Sequence, residues 1–186
     1  IMNLLSSTSV FGFYTLLSRV LGYLRDILIA VFLGTSVYAD AFFVAFRLPN
    51  TFRRLFAEGT FNAAFIPSYA EEKLKGEEKG KNFANEVFNL LLFFLILLIL
   101  ILEIFTPFLV YLIAPGFYND PEKFGLATEF TRITFPFLLF VSLSSLLSGI
   151  LNTNNKFAAA AAAPIVLNIV LILSMLFSFY FNQNFA

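Results

Sequence analysis

Cysteine and histidine are both absent from this sequence of 186 residues. Without cysteine, the chain has no disulfide framework and no thiol chemistry, so the sequence does not indicate a redox compartment. Without histidine, it lacks the commonest general base and a frequent metal ligand. These absences argue against an enzyme, and we expect no catalytic residues, no metal site and no cofactor.

Charged residues are also scarce. They make up 13% of the chain, whereas hydrophobic residues make up 59% and the mean hydropathy is +0.84. A soluble domain carries about a quarter charged residues, so this composition is typical of a membrane protein. The formal net charge is zero, which gives no basic excess for a nucleic-acid partner.

Lysine is missing from the first 70 residues, and arginine takes its place there. Five of the six arginines lie in this part of the chain: Arg19, Arg25, Arg47, Arg53 and Arg54. Arginine stays ionised and presents a planar fork of donors that matches phosphate and carboxylate, whereas lysine suits solvated loops. The segregation therefore points to an anion-binding role for the N-terminal part.

Long apolar segments predict an all-α, polytopic membrane bundle of about five transmembrane helices. We place these helices at about residues 4–33, 37–70, 83–113, 124–151 and 157–181. Mixed charge and glycine at 71–82, turn residues at 114–123 and the short polar stretch 152–156 predict the connecting loops. Pro49 and Pro136 are expected to kink their helices, the former near Ala45.

The first predicted helix contains three charges inside an apolar segment. Translocon scales give a cost of roughly 2.5–3.5 kcal/mol for each charge at a helix centre, so they should face a polar interior. Arg19 and Asp26 fall within about 20° of each other on a helical wheel, and Gly22 lies between them. Arg25 lies about 120° from Arg19 and also flanks the glycine. A structural polar seam between two helices is the competing interpretation.

The second predicted helix places polar residues on one face. They recur at steps of seven, three, four and four: Asp40, Arg47, Asn50, Arg54 and Glu58. This face is expected to line the same cavity as the charges of the first helix. For Arg54 and Glu58, an ordinary i,i+4 pair near the membrane surface is an equally good interpretation.

The lysines predict the orientation. Those in the loops 71–82 and 152–156 are Lys73, Lys75, Lys79, Lys81 and Lys156, whereas the loop 114–123 has Lys123 alone. The positive-inside rule then places the N-terminus and the lysine-rich loops in the cytoplasm.

Three motifs near the N-terminus carry a family resemblance: Ser18–Asp26 (SRVLGYLRD), Asp40–Asn50 (DAFFVAFRLPN) and Arg53–Gly59 (RRLFAEG). They closely resemble the MurJ/MviN family, the lipid II flippases of peptidoglycan synthesis within the multidrug/oligosaccharidyl-lipid/polysaccharide exporter superfamily. Later landmarks of the same resemblance are Ala114–Phe117, Ile133–Pro136, Ile150–Thr153 and Pro164–Asn168.

The resemblance implies a flippase of the bacterial cytoplasmic membrane that moves lipid II, with membrane lipids around it. Cavity arginines that bind the head-group pyrophosphate map to Arg19, Arg25 and Arg53. Supporting polar positions map to Asp26, Asp40, Asn50, Arg54, Glu58 and Asn168. Family members are longer, so the chain is expected to be part of an N-terminal lobe that works with a C-terminal lobe and is inactive alone.

Two alternatives remain open at this point. The chain could belong to an exporter of another polyprenyl-linked saccharide or a drug, or to a membrane assembly protein whose charges only pair helices. An enzyme would need a carboxylate pair, and arginines near Asp26 and Asp40 would make both poor general bases.

Overall fold

The computed structural model describes residues 4–57, 60–154 and 156–184. Within these ranges every regular element is a helix, as the sequence predicts. The helices are α1 (Leu4–Leu33), α2 (Val37–Ala57), α3 (Thr60–Leu74), α4 (Glu77–Ile113), a 3₁₀ turn (Pro115–Asn119), α5 (Pro121–Thr134), α6 (Pro136–Thr153) and α7 (Phe157–Asn184). They form two compact units, one built from α1 and α7 and the other from the elements between them.

In the first unit, α1 packs along α7. The rings of Phe32 and Phe179 meet edge to face at 5.3 Å between centroids. The N–H of Gly34 donates to the carbonyl of Ala30 at 3.0 Å, and Gly34 adopts a positive φ of 56°. A glycine in this left-handed conformation ends α1, because other residues adopt it at a cost.

The second unit has a core built on one face of α4. Its buried residues follow steps of four and seven along the helix: Gly80, Ala84, Leu91, Leu95, Leu102, Thr106 and Val110. Residues at these steps share a helical face. Leu138 and Leu146 of α6 and Phe65 and Tyr69 of α3 complete the main hydrophobic cluster. At the start of α2, the N–H of Ala39 donates to Ser36 Oγ at 3.2 Å, so Ser36 caps the helix.

The stretch 71–82, predicted as a loop, is instead a tight helical hairpin between α3 and α4. Only Lys75 and Gly76 lie outside the two helices. A Cβ atom on Gly80 would lie 3.0 Å from the Cα of Lys73, so glycine permits the close approach of the two helices. Lys75 Nζ lies 2.8 Å from Glu72 and 3.0 Å from Glu71, and these hydrogen bonds raise the pKa of Lys75 above 10.5.

Two predicted helices have different boundaries in the structure. The helix predicted at 37–70 corresponds to α2 and α3, and the residues between them, 58 and 59, lie outside the described ranges. The helix predicted at 124–151 is divided at Phe135 into α5 and α6, and Pro136 is the first residue of α6. Pro49 lies inside α2, which remains helical on both sides of the proline.

Within the described ranges, three stretches are long and apolar enough to cross a membrane: Glu77–Ile113, Pro121–Thr153 and Ala161–Phe181. Many of the large apolar side chains on these helices are exposed, above all on Glu77–Ile113 and Ala161–Phe181. Lipid would solvate such faces where water would not. The all-α membrane fold is thereby confirmed.

Candidate functional site

Arg25 is the centre of a hydrogen-bonded network in the first unit. Its Nε and Nη2 both donate to Asp26 Oδ1, at 3.0 and 2.7 Å. Its Nη1 donates to Asn168 Oδ1 of α7 at 2.8 Å. The guanidinium is therefore fixed from two sides, by the acid that follows it on α1 and by an amide of a different helix.

Asn168 connects the two helices through both ends of its amide. Its Nδ2 donates to the backbone carbonyl of Ser18 at 3.1 Å, while its Oδ1 accepts from Arg25. The side chain is only 5% exposed, so these bonds satisfy a buried polar group. A Cβ atom on Gly22 would lie 3.6 Å from Asn168 Nδ2, which shows that the amide crosses α1 at the glycine.

The network leaves part of the Arg25 fork available. A guanidinium has five N–H donors, and these bonds use one on each of its three nitrogens. One N–H on each terminal nitrogen remains, and two such donors match a pair of phosphate or carboxylate oxygens. The arginine side chain is about a quarter exposed, at 26%, so an anion can approach it.

Arg19 lies on α1 six residues before Arg25, and it is exposed. Within the described part of the chain it forms no ion pair. Asp26, which lies near Arg19 on the helical wheel, is engaged by Arg25. The first helix therefore presents one fixed arginine and one arginine whose fork has no protein partner among the described residues.

In the second unit, Asp40 has a partner that the sequence did not suggest. Lys123 Nζ donates to Asp40 Oδ2 at 3.0 Å and lies 5.8 Å from the ring centroid of Phe117. The N–H of Lys123 also donates to the side chain of Asp120, which caps α5. We expected arginines near Asp40. Among the described side chains it instead holds a lysine at the start of α5.

The remaining predicted positions of α2 are only partly described. Arg47 and Asn50 are exposed, and the Arg47 carbonyl accepts from Thr51 Oγ1 at 2.8 Å. The side chains of Arg53 and Arg54, and all of Glu58, lie outside the described residues. That the polar faces of α1 and α2 line one cavity stays a prediction.

The sequence interpretation did not predict the ion pairs that join α5 to its neighbours, and the first of them is Lys123–Asp40. Asp120 followed by Pro121 is a signature of a helix N-terminus, and reading it would have placed Lys123 in the first turn of α5. The second pair joins Arg132 Nε to Glu103 Oε2 at 3.9 Å, between α5 and α4. Nothing in the sequence spacing relates these two helices. No group of carboxylates in the described residues is arranged to hold a metal ion.

Comparison with known proteins decides the family. A profile described as lipid II flippase MurJ matches residues 29–184. The chain belongs to the lipid II flippase MurJ family. The match covers most of the chain, including all of α2 and Asn168 of α7, and it begins after the charged segment of α1 that contains Arg25.

Individual members of the family are similar over almost the whole chain. A probable lipid II flippase MurJ of Rhizobium tropici is 46% identical over 185 residues, which is 98% of this chain and 35% of that protein. The lipid II flippase MurJ of Burkholderia cenocepacia is 41% identical over 177 residues, 95% of this chain and 34% of that protein. The chain thus spans about a third of the length of these relatives.

A solved structure supports the fold. The structure of a lipid II flippase MurJ in an inward closed conformation has a TM-score of 0.70 and 34% sequence identity to this chain. The alignment covers 88% of this chain and 35% of that structure. The fold of the described helices is therefore similar to that of part of this MurJ structure.

Proposed function

We propose that the protein carrying this chain moves lipid II across the bacterial cytoplasmic membrane and that Arg25 binds the pyrophosphate of the head group. The observation that carries the proposal is the fixed Arg25 fork, with one free N–H on each terminal nitrogen. Family membership supports the substrate, because the relatives are described as lipid II flippases. This chain would supply one part of the transport path, and the remainder of a MurJ-length protein would supply the other.

The physical problem is the transfer of a diphosphate through hydrocarbon. Such a group loses its hydration, and fixed charged donors can replace part of it. A charge-assisted hydrogen bond contributes about 1.5–3 kcal/mol, so two from one arginine fork are substantial. Holding the fork in advance reduces the side-chain entropy lost on binding.

The neighbouring carboxylate has a second role in this proposal. Asp26 neutralises much of the charge of Arg25, at 2.7 Å. A transporter must release its substrate, so an arginine that is partly neutralised binds a pyrophosphate less tightly than a bare one would. Arg19, which has no described partner, would add the stronger attraction on the same helix.

The other positions enter by resemblance. Arg53 would be a third pyrophosphate ligand. The supporting polar residues after α1 would be Asp40, Asn50, Arg54 and Glu58. Asp40 also accepts a hydrogen bond from Lys123. Alternating access would rock this lobe against a second lobe, as in other transporters built from repeats. The lysine-rich α3–α4 hairpin would lie in the cytoplasm with the N-terminus.

The test is affinity for undecaprenyl pyrophosphate and for lipid II, measured with the purified protein that carries this chain. Arg25→Ala should weaken both about ten- to a hundredfold, the equivalent of one charge-assisted bond or more. Arg25→Lys should recover little, because lysine lacks the fork. Arg132→Ala is the matched control and should leave the affinity unchanged. It removes an arginine of α5 that pairs with Glu103 of α4.

The outcomes separate the alternatives. Unchanged affinity in Arg25→Ala would contradict the site. A protein that binds undecaprenyl pyrophosphate linked to other saccharides as tightly as lipid II would be an exporter of broader substrate class. If the protein binds no polyprenyl pyrophosphate and Arg25→Ala lowers its stability, the charges serve only to pair helices.

A further inference from the structure

Pro49 leaves a backbone acceptor of α2 without its usual donor. In an α-helix the carbonyl of Ala45 would accept from the N–H of residue 49, and proline has none. Ala45 and Pro49 are both buried in the second unit. A buried carbonyl needs a substitute donor, because neither water nor lipid supplies one there.

Thr134, the last residue of α5, lies where that donor is missing. Its hydroxyl is 3.3 Å from the carbonyl oxygen of Ala45 and 3.0 Å from that of Thr131. A hydroxyl has one hydrogen, so the two carbonyls share it. Phe46 stacks on Phe137 at 5.8 Å between centroids, so the contact is flanked by packed rings.

Other threonines of the chain behave differently. Thr106, Thr128 and Thr131 each donate to the carbonyl four residues earlier in their own helix, at 2.6–2.8 Å. Thr134 instead donates to the carbonyl three residues earlier, as Thr106 also does, and in addition reaches the carbonyl of Ala45 on another helix. The contact with α2 is what distinguishes Thr134 from these three threonines.

We propose that Thr134 is a positioning residue that replaces the missing N–H of Pro49 and fixes α2 where its two halves meet. The half before the proline carries Asp40, and the half after it carries Asn50 and the arginines that follow. The hydroxyl of Thr134 sets the separation of these groups. The consequence for substrate rests on the function proposed above, whereas the geometric claim does not.

The geometric test uses spin labels on a cysteine-free background of the protein that carries this chain. Spin labels at Tyr38 and Thr51, both exposed, lie on opposite sides of Pro49 along α2. Pulsed electron paramagnetic resonance measures the distance between the two labels. Thr134→Val removes the hydroxyl at nearly constant shape and should shift or broaden that distance. Thr134→Ser keeps the hydroxyl and should restore it.

A double variant identifies the missing donor. Pro49→Ala returns an N–H to α2, so Thr134→Val should have no further effect on the distance in that background. An unchanged distance in Thr134→Val, or the same change in Thr134→Ser, would overturn the proposal. If Pro49→Ala fails to fold, the comparison of valine with serine at position 134 still decides the question.

Affinity for undecaprenyl pyrophosphate gives the functional readout. Thr134→Val should weaken it about two- to tenfold, as expected for one neutral hydrogen bond acting through position, and Thr134→Ser should stay near wild type. A shifted distance with unchanged affinity would overturn the positioning role. The affinity of Arg25→Ala is measured in the same experiment. If Arg25→Ala binds undecaprenyl pyrophosphate as tightly as wild type, the proposed pyrophosphate site is wrong. The distances between the labels then still test the role of Thr134 in positioning α2.

Discussion

Arg25 illustrates how a single residue can be both charged and constrained inside an apolar helix. Residues adjacent in sequence do not normally face each other on a helix. The long arginine side chain nevertheless turns back so that two of its nitrogens reach Asp26. The helical wheel predicted that Arg25 and Asp26 share a polar region beside Gly22, and it could not predict this direct pair, because a wheel shows Cα directions and not side-chain reach.

Gly22 supplies a prediction at this scale. In Gly22→Ala the new Cβ would meet Asn168 Nδ2 at 3.6 Å, an ordinary contact, so affinity for undecaprenyl pyrophosphate should change by less than about twofold. In Gly22→Val the additional branched atoms should displace Asn168 and release Arg25. We expect a loss of about fivefold or more, the equivalent of about one hydrogen bond.

A matched valine elsewhere on α1 serves as the control for Gly22. A Cβ atom on Gly12 would have nothing within 4 Å, so Gly12→Val changes helix propensity without a new contact. It should keep the affinity of wild type. If Gly22→Val and Gly12→Val lose the same affinity, the loss comes from placing valine in the helix and not from displacing Asn168.

The pairing of α2 with α5 gives a prediction at the scale of elements. Asp40 and Lys123 each lie in the first turn of their helix and join at 3.0 Å. Both side chains are partly exposed, so their coupling in a double-mutant cycle of Asp40→Asn and Lys123→Met should be about 0.2–1 kcal/mol. Thermal unfolding in detergent measures it.

The reversed pair tests whether charge attraction is the cause. Asp40→Lys with Lys123→Asp should recover most of the stability that either reversal alone removes. The helix dipole favours the new acid on α5 and disfavours the new base on α2, so these two effects largely offset. Lys79→Met, at an exposed lysine without a described ion pair, controls for the loss of one positive charge. Additive single effects would contradict the coupling.

Helix boundaries were predictable where apolar periodicity was strong and not where local charge pairing decides. The stretch 71–82 has mixed charge and two glycines, which favours a loop. In the structure, Lys75 pairs with Glu71 and Glu72, and such i,i+3 and i,i+4 pairs stabilise helical turns. Gly76, at a φ of 144°, reverses the chain within two residues.

At the scale of the whole molecule, composition predicted the membrane fold and could not predict how the helices meet. Asn168 was a candidate only through family resemblance, because 143 residues separate it from Arg25. The three stretches apolar enough to be recognised as spans in the described residues lie in α4, α5–α6 and α7. The charged residues of α1 lie outside these stretches, although the sequence predicts a membrane helix there.

The second unit allows the membrane orientation to be tested directly. α4 runs from Glu77 to Ile113, a length of about 55 Å, so its ends can lie on opposite sides of a bilayer. Lys79 lies near its first end, and Glu122 follows its other end on the adjoining α5. Both residues are exposed, and the chain has no native cysteine to compete with an introduced one.

Single cysteines at these two positions should therefore label from opposite sides. In spheroplasts, a membrane-impermeant maleimide should label Glu122→Cys at once and Lys79→Cys only after the membrane is broken, because the lysine-rich hairpin is expected in the cytoplasm. Leu95→Cys, at a fully buried position of α4, should stay unlabelled in both conditions. The reverse order would invert the orientation. Labelling of both cysteines from one side would mean that α4 does not cross the bilayer, since its ends would then share a compartment.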